Sequence, residues 1–142
     1  MADIPSLASR PLLTLVIALD APQMLGHTPA GERKIVYVAG GSVAGDRVQG
    51  RVLPGGGDWA LTRPDGVLLL DVRLTLQTFD GALIYCAYSG MRRPGAASQP
   101  YFRIQPSFET ADERYRWLTR ILCVGIGERL PAGPSYEIFE IL

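Results

Sequence analysis

Leu68-Leu69-Leu70-Asp71-Val72-Arg73-Leu74-Thr75-Leu76 is the stretch whose reading decides the fold. From Leu70 onward apolar and polar residues alternate strictly. An extended backbone therefore puts Leu70, Val72, Leu74 and Leu76 on one face and Asp71, Arg73 and Thr75 on the other. The run is bounded by Pro64-Asp65-Gly66 on one side and Asp80-Gly81 on the other. Both make tight turns, because glycine takes positive φ at no steric cost. Neighbours in sequence should then be antiparallel neighbours in space.

The same punctuation runs through the chain. Sixteen glycines and eleven prolines in 142 residues separate short apolar runs, the pattern of an all-β domain. It predicts strands at residues 11–20, 33–39, 41–53, 58–62, 67–78, 82–89, 101–106, 121–130 and 136–142. Further turns are expected at Gly40-Gly41 and at Pro54-Gly55-Gly56-Gly57. Residues 1–10 read as a tail, 11–142 as one domain, and 92–99 as a loop. One segment has a different period. Thr110-Ala111-Asp112-Glu113 has the form of a capping box, with Thr110 as N-cap and Glu113 reaching back. Ala111, Tyr115 and Leu118 follow on one helical face beside Trp117, which predicts a short amphipathic helix ending near Arg120. Closure of the strands into an antiparallel barrel would leave no unpaired edges. Periodicity alone leaves a β-sandwich open as the alternative.

Composition excludes several function classes. Lys+Arg and Asp+Glu number 14 each, so no broad field favours nucleic acid or an anionic membrane. Arg92-Arg93 reads as a solvated loop pair. Cys86 and Cys123 sit in apolar runs, where a free thiol packs as a small hydrophobe. His27 has no Cys or His partner at ligand spacing, so no metal site is expected. No run approaches the roughly 18 apolar residues of a membrane span. The N-terminus has no signal-peptide pattern, and the expected location is cytoplasmic.

The candidate chemistry is carried by polar residues on strand faces and by one glycine turn. Asp71 and Arg73 either face solvent or line a barrel whose interior is partly polar. Arg33 and Tyr37, Tyr85 and Ser89, and Tyr101, Arg103 and Gln105 alternate in the same way. Arginine offers a planar fork of donors, and tyrosine a hydroxyl on an apolar body. These suit an anionic or carbonyl-bearing ligand, or equally a network of internal pairs. Gly55-Gly56-Gly57-Asp58-Trp59 sets a carboxylate after a permissive turn and beside an aromatic wall, where desolvation could raise its pKa into a useful range for acid/base work. The other reading is an Asp that binds turn amides. Neither a P-loop nor a dinucleotide fingerprint fits the glycines, and no cofactor is expected. Glu109 precedes the helix, either as a second carboxylate at the mouth or as an anion favoured near a helix N-terminus.

Taken in order, Gly31–Arg33, Gly40-Gly41, Gly45, Gly50, Gly55–Trp59, Asp65-Gly66, Asp71-Val72-Arg73, Asp80-Gly81, Tyr101-Phe102-Arg103, Phe108-Glu109-Thr110 and Tyr115–Leu118 form a specific set. From about residue 11 to the C-terminus the chain resembles the domain-of-unknown-function family 3237, also called UPF0311. The resemblance implies a small, closed, calycin-like antiparallel β-barrel that is often a homo-oligomer. It maps family motif positions onto Arg33, Asp58, Trp59, Asp71, Arg73, Tyr101, Arg103 and Glu109. Gly57 departs from the pattern, since relatives often carry Ala there. The resemblance moves the Asp71–Arg73 face from solvent to a pocket wall, with 92–99 as a rim loop.

The resulting expectation is a cofactor-independent lyase or isomerase. It would act by acid/base chemistry on a small carbonyl-containing or aromatic metabolite. Asp58, Arg73 and Tyr101 are the expected catalytic residues. Arg33, Trp59, Asp71, Tyr85, Arg103 and Glu109 are the expected substrate contacts. The alternative is a carrier of a small hydrophobic acid that performs no reaction. A homodimer or higher homo-oligomer is expected in either case.

Overall fold

Alternating residues build antiparallel strands throughout the computed structural model, which describes residues 3–95 and 100–142. In chain order the strands are β1 (Ser9–Leu19), β2 (Gln23–Thr28), β3 (Gly31–Ala44), β4 (Gln49–Val52), β5 (Gly57–Thr62), β6 (Leu68–Thr78), β7 (Leu83–Arg92), β8 (Phe102–Glu109), β9 (Leu122–Leu130) and β10 (Gly133–Ile141). Hydrogen bonding runs β1-β10-β9-β8-β7-β6-β4-β3, and β3 pairs back onto β1. This closes an eight-stranded barrel. β2 and β5 are extra: β2 flanks β3, and β5 repeats the bridge between β3 and β6 toward one end.

Glycines decide two of the departures from the sequence expectation. Gly40-Gly41 is not a turn but lies within a continuous β3. There β1 crosses β3 so closely that a Cβ on Gly41 would collide with the Val16 carbonyl. The chain reverses instead between Ala44 and Gln49, which splits the expected 41–53 strand. The Asp80-Gly81 and Pro64-Asp65-Gly66 turns form as expected, with Gly81 and Gly66 at φ 95° and 88°. β2 was not anticipated. Of the expected loop at 92–99, residues 96–99 lie outside the described residues, and Arg92 closes β7.

The interior is apolar. Leu70, Val72, Leu74 and Leu76 of β6 face inward with Leu15 and Ile17 of β1, Ile84 and Cys86 of β7, Ile104 of β8 and Ile138 of β10. Each large side chain buried this way stabilises the fold by roughly 1.5–3 kcal/mol. A helix closes one end. Glu113–Arg120 is a 3₁₀ helix that buries Tyr115 and Leu118 against the core. Its N-cap is Asp112 rather than Thr110: the Asp112 carboxylate accepts the Arg114 N–H at 2.9 Å. Thr110 instead donates its hydroxyl to the Leu83 carbonyl at 2.7 Å, which ties the helix entrance to β7. Tyr115 donates to Asp80 at 2.8 Å, so the helix lies over the β6–β7 turn. The opposite end is the mouth. There β6 and β8 begin at Leu68 and Phe102, and β1, β7 and β9 finish at Leu19, Arg92 and Leu130. Among the described residues no helix is long and apolar enough to cross a membrane.

Candidate functional site

Strand parity separates the expected site residues into two groups. Because the β6 quartet from Leu70 to Leu76 points inward, Asp71 and Arg73 point outward and are exposed. The expectation that they line the barrel interior is thereby corrected. The apolar side chains of β6 occupy that space. Arg33, Trp59, Asp71, Tyr101 and Arg103 do come together, but in an open groove on the outside of the wall. Arg73 and Tyr85 share a separate depression beside Gly55-Gly56. Glu109 is exposed at the far end of β8, next to the helix. Tyr101 is stacked on two guanidiniums, with Arg93 at 3.9 Å and Arg103 at 4.9 Å from its ring centre.

Asp58 alone among them enters the barrel. It lines a cavity of about 300 Å³ at the mouth, with Lys34 of β3, Arg92 of β7 and Arg129 of β9. Val36, Leu68, Leu70 and Phe102 supply apolar wall. Tyr136 lines the floor, backed by Tyr88. Tyr88 donates to Tyr136 at 3.1 Å, and Phe102 packs edge-on against Tyr136 at 5.4 Å.

The local backbone explains how Asp58 is held. β5 and β6 pair at Gly57–Asp58 with Val72–Arg73, and again at Leu61–Thr62 with Leu68–Leu69. Between these points the ladder opens. The Asp71 N–H there donates to the Asp58 carboxylate at 3.1 Å, and the Trp59 carbonyl accepts from the Arg33 guanidinium at 2.8 Å. Two side chains thus satisfy backbone groups that a regular ladder would have joined. Arg33 is therefore a clamp on β5, and Asp71 contributes its amide to the site rather than its carboxylate.

The electrostatics are unusual for so small a space. Burial pushes the Asp58 carboxyl above the ordinary carboxylate range, against the opposing pull of the Asp71 amide and Lys34. Burial lowers the Lys34 ammonium pKa, and the Arg129 and Arg92 guanidiniums push it further the same way. Burial also raises Tyr88 and Tyr136, so both stay neutral phenols at physiological pH. Chemically the mouth offers a carboxyl poised to exchange a proton, neutral hydroxyl groups, and cations able to stabilise an oxyanion.

Lys34, Arg92, Arg129, Tyr88 and Tyr136 were missed in the sequence. Arg92 was read as a solvated loop residue, yet it is half-buried and lines the cavity. The usable signal was parity. Lys34 continues the inward series Val36–Val38, and Arg92 continues Cys86–Tyr88. Arg129 continues Cys123, Gly125 and Gly127. Both thiols are buried, as their apolar runs suggested.

The chain as a whole is similar to known proteins. A UPF0311 protein of Clostridium acetobutylicum is 31% identical over 144 residues, covering 92% of this chain and 91% of the relative. The crystal structure of a β-barrel-like protein from Acinetobacter baumannii AYE matches with TM-score 0.92 and 30% identity over 100% of both chains. An enzyme from Penicillium herquei shares the fold, with TM-score 0.82 and 22% identity over 100% of both chains. With residues 7–141 matching the DUF3237 family model, described as a protein of unknown function, the chain belongs to that family.

Proposed function

We propose that this protein is an acid/base enzyme of the lyase or isomerase type, acting on a small carbonyl-containing metabolite held in the barrel mouth. The observation that carries this reading is the desolvated Asp58 carboxyl, fixed by the Asp71 amide in a cavity it shares with three cations. Asp58 takes a proton from the carbon next to the carbonyl and returns it elsewhere on the substrate. Lys34 and Arg92 stabilise the enolate oxygen between the two steps. The neutral hydroxyl of Tyr136, which accepts from Tyr88, serves as a donor on the floor. The proposal keeps Asp58 from the sequence reading and replaces Arg73 and Tyr101, which face outward, with these inward groups. The same fold carrying an enzyme in Penicillium herquei supports it.

The test is proton exchange in heavy water. Small ketones and oxo acids are incubated with the protein, and deuterium uptake next to the carbonyl is followed by NMR. Wild type should accelerate exchange for at least one compound, and Asp58→Asn should abolish it while leaving binding intact. Binding without exchange across the panel would instead favour the carrier reading.

A further inference from the structure

Several cations of this protein are paired, and others, including Arg73 and Arg120 on the outer surface, have no ion-pair partner among the described residues. Outside the mouth, Arg10 and Arg47 both meet Glu140, Arg63 meets Asp65, and Arg114 meets Asp80 and Asp112, all within 3.2 Å. Lys34, Arg92 and Arg129 differ in sharing one cavity. Among the described residues none of the three takes part in a salt bridge or donates a side-chain hydrogen bond, although they converge on one cavity. They arrive from three strands, β3, β7 and β9, so no local sequence effect gathers them.

The anions facing them are few. Asp58 of β5 is one, and its Oδ1 accepts the Asp71 amide. Asp20, just past β1, lines the rim and is exposed. Among the described residues the only other titratable group lining the cavity is the neutral Tyr136 of the floor. With both carboxylates ionised the mouth still carries one net positive charge, and with Asp58 protonated it carries two. Like charges gathered in a partly desolvated mouth with too few counter-charges are costly, and a bound anion reduces that cost.

We propose that the ligand of the barrel mouth is a small organic oxyanion, a carboxylate or an ionised enol or phenol, whose acidic oxygen sits among Arg129, Arg92 and Lys34. Exposure orders the three. Arg129 stands at the rim and is exposed, whereas Arg92 and Lys34 are half-buried below it. The Arg129 and Arg92 guanidiniums present planar forks to the anion, and the apolar wall around Phe102 and Leu70 receives the carbon skeleton. A cavity of about 300 Å³ suits a skeleton of one ring or a short chain. The inference rests on the mouth being the functional site, as proposed above, but not on Asp58 being the base.

Calorimetric titration in low-chloride buffer with benzoate, 4-nitrophenolate and benzamide tests it. Benzoate or the phenolate should bind saturably, and neutral benzamide on the order of tenfold more weakly or worse. The tighter of the two anions tells carboxylate from enol-type oxygen. Arg129→Gln and Arg92→Gln should each weaken that anion on the order of tenfold. Arg129 is exposed, so its variant keeps the fold even where Arg92→Gln does not. Equal binding of benzamide and benzoate, no saturable binding of either anion, or an unchanged anion affinity in Arg129→Gln overturns the proposal. Anion binding that persists while Asp58→Asn leaves proton exchange untouched removes the acid/base reading and keeps the anion site.

Discussion

Replacing Asp58 separates two roles that its carboxylate performs at once. Asp58→Asn keeps an oxygen able to accept the Asp71 N–H but carries no charge. Asp58→Ala keeps neither. Losing the acceptor leaves the Asp71 amide to water in an opened ladder, at a cost of about 0.5–1.5 kcal/mol. For a chain of this length that corresponds to Asp58→Ala melting about 2–5 °C below Asp58→Asn. The charge acts separately. The folded state raises the Asp58 pKa, so it holds that proton more tightly than the unfolded chain does. Its contribution to stability is complete below the unfolded value of about 3.9 and declines as pH rises through the folded value. Asp58→Asn has no such loss. Its Tm minus that of wild type should be near zero in acid, grow as pH rises through that window, and then level off. Other titrating groups are common to both proteins and cancel in the difference. Scanning calorimetry of the three proteins from acid to mildly alkaline pH reads both effects. Equal melting of the Ala and Asn variants would refute the amide bond, and a difference from wild type independent of pH would refute the desolvated carboxyl.

Three further outcomes follow from the fold. Leu118→Ala should destabilise by about 2–5 kcal/mol in denaturant melts, since Leu118 is 1% exposed and anchors the helix to the core. Glu140 is held below the ordinary carboxylate range by Arg10 and Arg47, so its contribution is present above the unfolded pKa and lost as pH falls through the folded one; Glu140→Gln should flatten the acid limb of the stability profile. Burial pushes the Cys86 thiol up to about 12 and the Cys123 thiol up to about 11, so neither should react with a thiol reagent at neutral pH until the protein is denatured.

The barrel was legible in the sequence because its information is local. The alternation of β6 and the Asp-Gly and Pro-Asp-Gly turns fix strand direction and pairing within a few tens of residues. The boundaries that escaped, β2 and the reversal between Ala44 and Gln49, depend on where β1 crosses Gly41, a contact between distant segments. The site was harder for a related reason. Alternation states which residues share a face but not which face is inside. The polar series at Asp71 and Arg73 has the chemistry of a site, while the apolar series fills the interior. Asp58 stands out in the sequence because its glycine turn is a local signal. Lys34, Arg92 and Arg129 were hidden because each is a polar exception on an otherwise inward apolar series. Such a residue is tolerated only at a strand end, where the barrel widens to water. Strand ends become comparable only once the register is known.

The helix that closes the far end has a consequence for traffic. A barrel stoppered at one end has a single doorway, so any molecule that enters between Arg129 and Leu19 must leave the same way. For the proposed reaction, product and substrate then compete for one passage, and whatever resembles the departing molecule becomes an inhibitor of the arriving one.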